Sequence, residues 1–165
     1  MSKLRRIGVQ KVCGFMLNVT HFDWTAANIR YGRAVSRRLG GKHFIINTAS
    51  NGRGPVHFKR RVGSRNRTIV INCHPLFRGT GRTPTTKTGD RFVDAFMWIS
   101  RPGYSSGSCN GGPRVGDWWP ERAFDLARYG TQRKRSAKGT RFGFPRGRLT
   151  ARQVSGTQFS RDKFD

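Results

Sequence analysis

Acidic residues are scarce in this chain, which has 8 Asp and Glu against 33 Lys and Arg among its 165 residues. Glu121 is the only glutamate, so acid–base catalysis by paired carboxylates has few candidates. The three cysteines include no C-x-x-C pair, and the four histidines show no metal-ligand spacing. We therefore expect no metal site and no cofactor.

Long apolar runs are also missing. No stretch of about 18 apolar residues occurs, which excludes a membrane-spanning helix. Residues 1–6 lead into no apolar segment that could act as a secretory signal. The sequence as written therefore indicates no membrane partner and no export address, and it leaves the compartment unknown.

The excess of basic residues gives a net charge of +25 and a pI near 11.8. Such a charge favours polyanion binding, because Lys and Arg release counterions from phosphate backbones. Residues 131–165 carry ten basic and two acidic groups without an apolar period, which predicts a disordered basic tail after a folded domain at 1–130. The tail is either a solvated terminus without function or a polyanion-binding segment.

Short apolar runs alternate with helical patterns in the first 130 residues. Residues 14–20, 44–48 and 92–99 predict buried strands, whereas 25–39 and 121–129 predict helices. Thr25 is a candidate cap for the first helix, and Gly40-Gly41 would end it. This order is typical of parallel α/β architecture.

About forty residues separate the second and third predicted strands, far more than an ordinary connection. Such a loop is either functional or disordered, and we interpret its densest basic run, residues 59–67, as a solvated loop. Loops that follow parallel strands hold ligands. Residues 47–55, 72–81 and 100–112 are therefore the segments in which chemistry is expected.

Several motifs in and beside these loops follow a familiar order. They are residues 18–22 (Asn-Val-Thr-His-Phe), 40–48 (Gly-Gly-Lys-His-Phe-Ile-Ile-Asn-Thr), 73–75 (Cys-His-Pro) and 93–99 (Val-Asp-Ala-Phe-Met-Trp-Ile). From about Val12 to about Tyr129 the chain resembles glycoside hydrolase family 6, whose members are endo- and exo-acting cellulases. The resemblance covers the C-terminal half of that family.

The resemblance implies an α/β fold made of the C-terminal strands and helices of a distorted, TIM-like (β/α) barrel with long cleft loops. It also implies β-1,4-glucan or a cello-oligosaccharide as the partner, and hydrolysis of β-1,4-glucosidic bonds as the activity of the lineage. We expect the chain to be truncated, so that a missing N-terminal half or a partner chain would complete the barrel.

Charged cleft residues of the family, and the Trp that serves it as a sugar platform, are substituted in this sequence. The family's Asp-Thr-Ser-Arg-Asn-Gly reads Asn47-Thr48-Ala49-Ser50-Asn51-Gly52, and its Trp-Cys-Asn-Pro reads Asn72-Cys73-His74-Pro75. The substituted positions that the resemblance assigns to substrate binding are His21, Asn72, Ser100 and Tyr104. Trp118 and Trp119 are candidates to stack on sugar rings, or else they pack in the core.

The resemblance places the proposed catalytic base of the family at Ser106. Inverting hydrolysis needs one acid and one opposing carboxylate roughly 6.5–9.5 Å apart, and a serine hydroxyl does not ionise near neutrality. We therefore assign no catalytic residue and predict that the isolated chain is catalytically impaired. Two alternatives stay open, namely a glucanase with an alternative base and a basic nucleic-acid-binding protein that reuses the fold.

The resemblance further implies a disulfide between Cys73 and Cys109. In a reducing cytosol both residues would instead be thiols, because disulfides persist mainly in oxidising compartments. Cys13 is left without a partner in either case.

Overall fold

A computed structural model describes residues 2–130 of the chain. The predicted basic tail at 131–165 lies outside these residues. In chain order the helices and strands are α1 (Ser2–Arg6), β1 (Gly14–Leu17), α2 (Thr25–Arg38), β2 (His43–Asn47), β3 (Val56–Val62), β4 (Arg65–Ile71), β5 (Val93–Met97) and α3 (Pro120–Arg128). No helix among the described residues is both long enough and apolar enough to cross a bilayer.

A three-stranded parallel sheet in the order β1-β2-β5 lies at the centre of the fold. Its register pairs Phe15 with Phe44 and Ile46 with Phe96. The three predicted strands are therefore present and parallel, and the protein is a mixed α/β structure. The three strands do not close a barrel within the described residues.

The buried core is formed by residues of β2 and β5 that pair across the two strands on one face of the sheet. Phe44, Ile46, Val93 and Phe96 are each almost fully buried and form one cluster. Burying each such side chain contributes about 1.5–3 kcal/mol. The apolar runs that predicted these strands are thus the same residues that hold the sheet together.

Helix α2 begins and ends close to the predicted positions. Gly41 donates its backbone N–H to the Ser36 carbonyl at 2.9 Å, and its φ of 84° is one that glycine tolerates. The predicted cap was wrong by one residue, since Trp24 occupies the cap position and Thr25 is the first helical residue. In the middle of the helix, a Cβ on Gly32 would lie 2.3 Å from the Phe44 ring, so α2 approaches the core closely at this glycine.

The interpretation of residues 59–67 as a loop was wrong, because β3 and β4 form an antiparallel hairpin. The chain turns at Gly63, whose φ is 61°, and the register pairs Phe58 with Ile69 and Arg60 with Arg67. Strand prediction relies on alternation of apolar and polar residues. Here arginines occupy both faces of the outer half of the hairpin, so the alternation is weak. The expected solvation of the run was right, since its residues are exposed.

Candidate functional site

Asn47 lies at the carboxyl end of β2 and forms a neutral hydrogen-bond network there. Its side-chain Nδ2 donates to Ser100 Oγ at 2.7 Å and to the Asn18 carbonyl at 3.2 Å. Its Oδ1 accepts backbone N–H groups from Ala49 at 3.2 Å and Ile99 at 3.1 Å. The side chain is buried. The position therefore needs a side chain with one hydrogen-bond donor and one acceptor. An amide supplies both, whereas an ionised carboxylate only accepts hydrogen bonds.

Asn47→Asp is therefore expected to lower the free energy of unfolding by about 2–3 kcal/mol at pH 7, because a buried carboxylate oxygen would face the Asn18 carbonyl. A protonated carboxyl group can donate as the amide does. Since the folded state would favour that neutral form, the loss should be smaller near pH 4. Urea unfolding at the two pH values measures both effects.

The matched control for this prediction is Asn66→Asp, since Asn66 lies exposed at the end of the hairpin. It should change the free energy of unfolding by less than about 0.5 kcal/mol. An equal loss for the Asn47 variant at both pH values would contradict the role given to this amide.

Ser106, at the position expected for the family base, is hydrogen-bonded to His74. The distance from Ser106 Oγ to His74 Nε2 is 2.7 Å, and the Ser106 backbone N–H donates to the same nitrogen at 3.1 Å. His74 is 5% exposed, whereas Ser106 is exposed. The Trp119 ring lies beside the imidazole, with 5.1 Å between the ring centroids. Sequence reasoning missed this pair, because the two residues are 32 positions apart.

Burial lowers the pKa of His74 below 6.5, and the positive charge of Arg122 lowers it further, while the nearby backbone of Cys109 opposes both effects. The imidazole is therefore neutral at pH 7. Because the folded-state pKa lies below that of the unfolded chain, protonation opposes folding. The stability supplied by the neutral form is present above about pH 6.5 and is lost as the pH falls further.

Arg122 connects α3 to the loop that carries His74. It is buried and donates from Nη1 to the Pro75 carbonyl at 2.6 Å. Burial lowers the pKa of Arg122 to about 10, while Asp125 acts in the opposite direction. The guanidinium is therefore charged at neutral pH and holds Pro75, and with it His74, against the helix.

Cys73 and Cys109 are joined by a disulfide, with their Cα atoms 6.2 Å apart. The bond ties the loop of His74 to the loop of Ser106. A ligand atom of His74 lies within 4.8 Å of both sulfurs, but sulfurs that are bonded to each other supply no thiolate to a metal. We therefore assign no metal site to this cluster. Cys13 is free and exposed.

Tyr104 and Trp118 form a second aromatic feature. Their ring centroids are 5.3 Å apart, and the Arg101 guanidinium lies 4.2 Å from the Tyr104 ring centroid. Both rings are partly exposed. Trp118 also borders an open groove of about 890 Å³ whose other aromatic walls are Trp98 and Phe124.

The sequence-predicted site residues fall into separate groups. Ser100 joins Asn47, Tyr104 joins Trp118 and Ser106 joins His74. His21 is exposed and its Nδ1 lies 3.0 Å from Thr20 Oγ, and Asn72 is exposed directly after β4. Within residues 2–130, no hydrogen bond or ring contact connects either of these two to the other groups.

Residues 1–129 match the family model of glycosyl hydrolases family 6. Endoglucanase A of Cellulomonas fimi is 37% identical over 128 residues, which are 78% of this chain and 26% of that protein. Endoglucanase A of Thermobispora bispora is 38% identical over 116 residues, which are 69% of this chain and 22% of that protein. The chain thus spans about a quarter of the length of these relatives.

Solved structures of similar fold come from the same family. The endoglucanase Cel6 from Mycobacterium tuberculosis, solved with methyl-cellobiosyl-4-deoxy-4-thio-β-D-cellobioside, aligns with a TM-score of 0.65 at 38% identity and covers 78% of this chain and 41% of its own. A family 6 enzyme from an Orpinomyces species aligns with a TM-score of 0.61 at 24% identity, covers 79% of this chain and 42% of its own, and supports the fold alone. Because the family model covers most of the sequence and several relatives exceed 30% identity, this chain belongs to glycosyl hydrolases family 6.

Proposed function

We propose that this chain is a cellulase-lineage segment that binds β-1,4-glucan or cello-oligosaccharides and does not hydrolyse them by itself. The observation that carries the proposal is the neutral chemistry of the cleft positions. Asn47, Ser100 and Ser106 lie where the resemblance leads us to expect charged groups, and there Asn47 bonds Ser100 while Ser106 bonds His74. None of these four side chains is a carboxylic acid that can protonate a leaving oxygen.

The acids among the described residues have other surroundings. Asp90 pairs with Arg33, and Asp94, at the start of β5, pairs with His43 at 2.7 Å. These contacts lie at the amino ends of β2 and β5, opposite the cleft loops. The remaining described acids precede α2 or lie in or near α3, namely Asp23, Asp117, Glu121 and Asp125. Glu121, in the first turn of α3, complements the helix dipole, whereas Asp125 lies in the C-terminal half of that helix.

Binding is the part of the lineage's function that these residues can still perform. The partly exposed rings of Tyr104 and Trp118 offer apolar faces of the kind that pack against sugar rings. Side chains that can hydrogen-bond hydroxyl groups are present at the other positions that the resemblance assigns to substrate, which are His21, Asn72 and Ser100. The endoglucanase from Mycobacterium tuberculosis was solved with a thio-linked cello-oligosaccharide.

We further propose that β1, β2 and β5 are part of the wall of a (β/α) barrel, that residues 1–130 form its domain and that 131–165 form a separate basic segment. The parallel order β1-β2-β5, with α2 between the first two strands, agrees with this architecture. A further chain segment or a partner would complete the barrel. Neither the family match nor the similar structures support the nucleic-acid-binding alternative.

The test is calorimetric titration of the 165-residue chain with cellohexaose, alongside an assay of reducing sugar released from soluble cellulose. We expect binding without release. Release that is abolished by changing one of the remaining acids would overturn the proposal, and so would an absence of binding.

Tyr104→Ala is expected to weaken cellohexaose binding roughly 2- to 12-fold, because one aromatic contact contributes about 0.5–1.5 kcal/mol. Tyr31→Ala is the matched control, since Tyr31 is exposed on α2. An equal effect of the two substitutions would show that Tyr104 does not contact the glucan.

A further inference from the structure

We propose that Ser106 and His74 form a nucleophile–base pair that reacts with acyl esters, with Ser106 Oγ as the nucleophile and His74 Nε2 as its general base. This activity is separate from glucan binding and from glycoside hydrolysis. It is carried by the 2.7 Å contact between the two atoms, which is the separation that proton transfer from a serine hydroxyl to a base requires.

The hydrogen bonds set the direction of this contact. Because the Ser106 backbone N–H also donates to His74 Nε2, at 3.1 Å, this nitrogen is an acceptor and the ring proton is on Nδ1. The hydroxyl of Ser106 therefore donates to Nε2. That direction is the one in which a histidine activates a serine.

His74 is buried and Ser106 is exposed, as expected for a base that is held in place beside an accessible nucleophile. The imidazole is covered, with Trp119 on one side and Gly112 so close that a Cβ there would lie 2.6 Å from His74 Nδ1. Ser106 is exposed, so a substrate can reach its hydroxyl. The disulfide between Cys73, directly before His74, and Cys109, three residues after Ser106, holds the two loops together.

The surroundings of His74 indicate a slow reaction. His74 Nδ1 is buried and meets no carboxylate among the described residues, so no carboxylate orients the ring or stabilises the imidazolium. Arg122 of α3 is the charged group that faces the ring within the described part of the chain, and it lowers the pKa of His74 together with burial. The base is therefore free at pH 7 but weak.

The reaction balances without a co-reactant other than water. Ser106 Oγ attacks the acyl carbon and forms a new C–O bond, while its proton passes to His74 Nε2. The bond from the acyl carbon to the leaving alcohol oxygen breaks, and the proton returns to that oxygen. Water then hydrolyses the ester on Ser106 by the same proton path, releasing the carboxylic acid and restoring the serine.

The experiment uses the full chain and a fluorophosphonate probe, which forms a phosphorus–oxygen bond on an activated serine and releases fluoride. Peptide mass mapping should locate one label, on Ser106. Ser106→Ala should remove it, and His74→Gln should slow labelling by about 100-fold. Ser108→Ala is the matched control, because Ser108 is an exposed serine on the same loop, and it should leave labelling unchanged.

Two measurements on the unsubstituted chain keep the proposal falsifiable if His74→Gln fails to fold. The labelling rate should fall at acid pH, when His74, whose pKa lies below 6.5, takes up a proton. p-Nitrophenyl acetate should be hydrolysed at a rate that fluorophosphonate treatment abolishes. Label on another serine, no label, or a rate that does not fall anywhere in the acid range in which the chain stays folded would overturn the assignment. None of these readouts involves glucan, so their failure is distinct from a failure of cellohexaose binding.

Discussion

Phe44→Ala is expected to lower the free energy of unfolding by about 3–5 kcal/mol. Phe44 is 1% exposed, stacks on Phe15 with 5.0 Å between ring centroids and fills the space left by the missing side chain of Gly32. Truncation would open a cavity between α2 and the sheet that neither element can close, since backbone hydrogen bonds fix both. A loss of this size is a large fraction of the roughly 5–15 kcal/mol that stabilises a typical domain.

Urea unfolding followed by circular dichroism measures this loss. Phe124→Ala is the matched control, because Phe124 is 63% exposed on α3, and it should change the free energy of unfolding by less than about 1 kcal/mol. Similar losses for the two variants would show that the sheet is not the main source of stability in this chain.

The sheet could be predicted from sequence for the same reason that Phe44 is critical. Strands of parallel sheets are typically apolar in succession, and residues 44–46 (Phe-Ile-Ile) have this pattern, with Phe44 and Ile46 buried and Ile45 partly buried. The hairpin of β3 and β4 lacks a buried face along its outer half, so its sequence needs no alternation of apolar and polar residues. Its strands depend on backbone pairing around Gly63, which composition does not reveal.

The candidate site was predictable only in part. The resemblance located Ser100, Tyr104 and Ser106 on the loop after β5, and the structure confirms that this loop follows a parallel strand. Their partners could not be predicted, because each contact joins separate segments of the chain. In the sequence alone, His74 cannot be distinguished from an ordinary core histidine. Its position beside Ser106 depends on the Cys73 disulfide and on the hydrogen bond from Arg122 to the Pro75 carbonyl.

Loss of the Cys73–Cys109 disulfide is expected to lower the free energy of unfolding by about 3–4 kcal/mol. The bond closes a loop across a sequence separation of 36 residues, and in the chain-entropy model a loop of this length restricts the unfolded state by about that amount. The double variant Cys73→Ser with Cys109→Ser, measured by urea unfolding, gives the loss directly. Reductant should have the same effect on the unsubstituted chain.

Cys13→Ser is the control for this experiment, because Cys13 is free and exposed, and it should leave both the stability and the response to reductant unchanged. The same bond also positions the Ser106 hydroxyl against His74, so the double variant should lose fluorophosphonate labelling at Ser106 under conditions in which it is still folded.

A double variant as stable as the parent chain would show that the two loops are held by other contacts, of which the Asn110 side-chain bond to the Cys73 carbonyl is the nearest. Full labelling of a folded double variant would show that the serine–histidine contact forms without the disulfide.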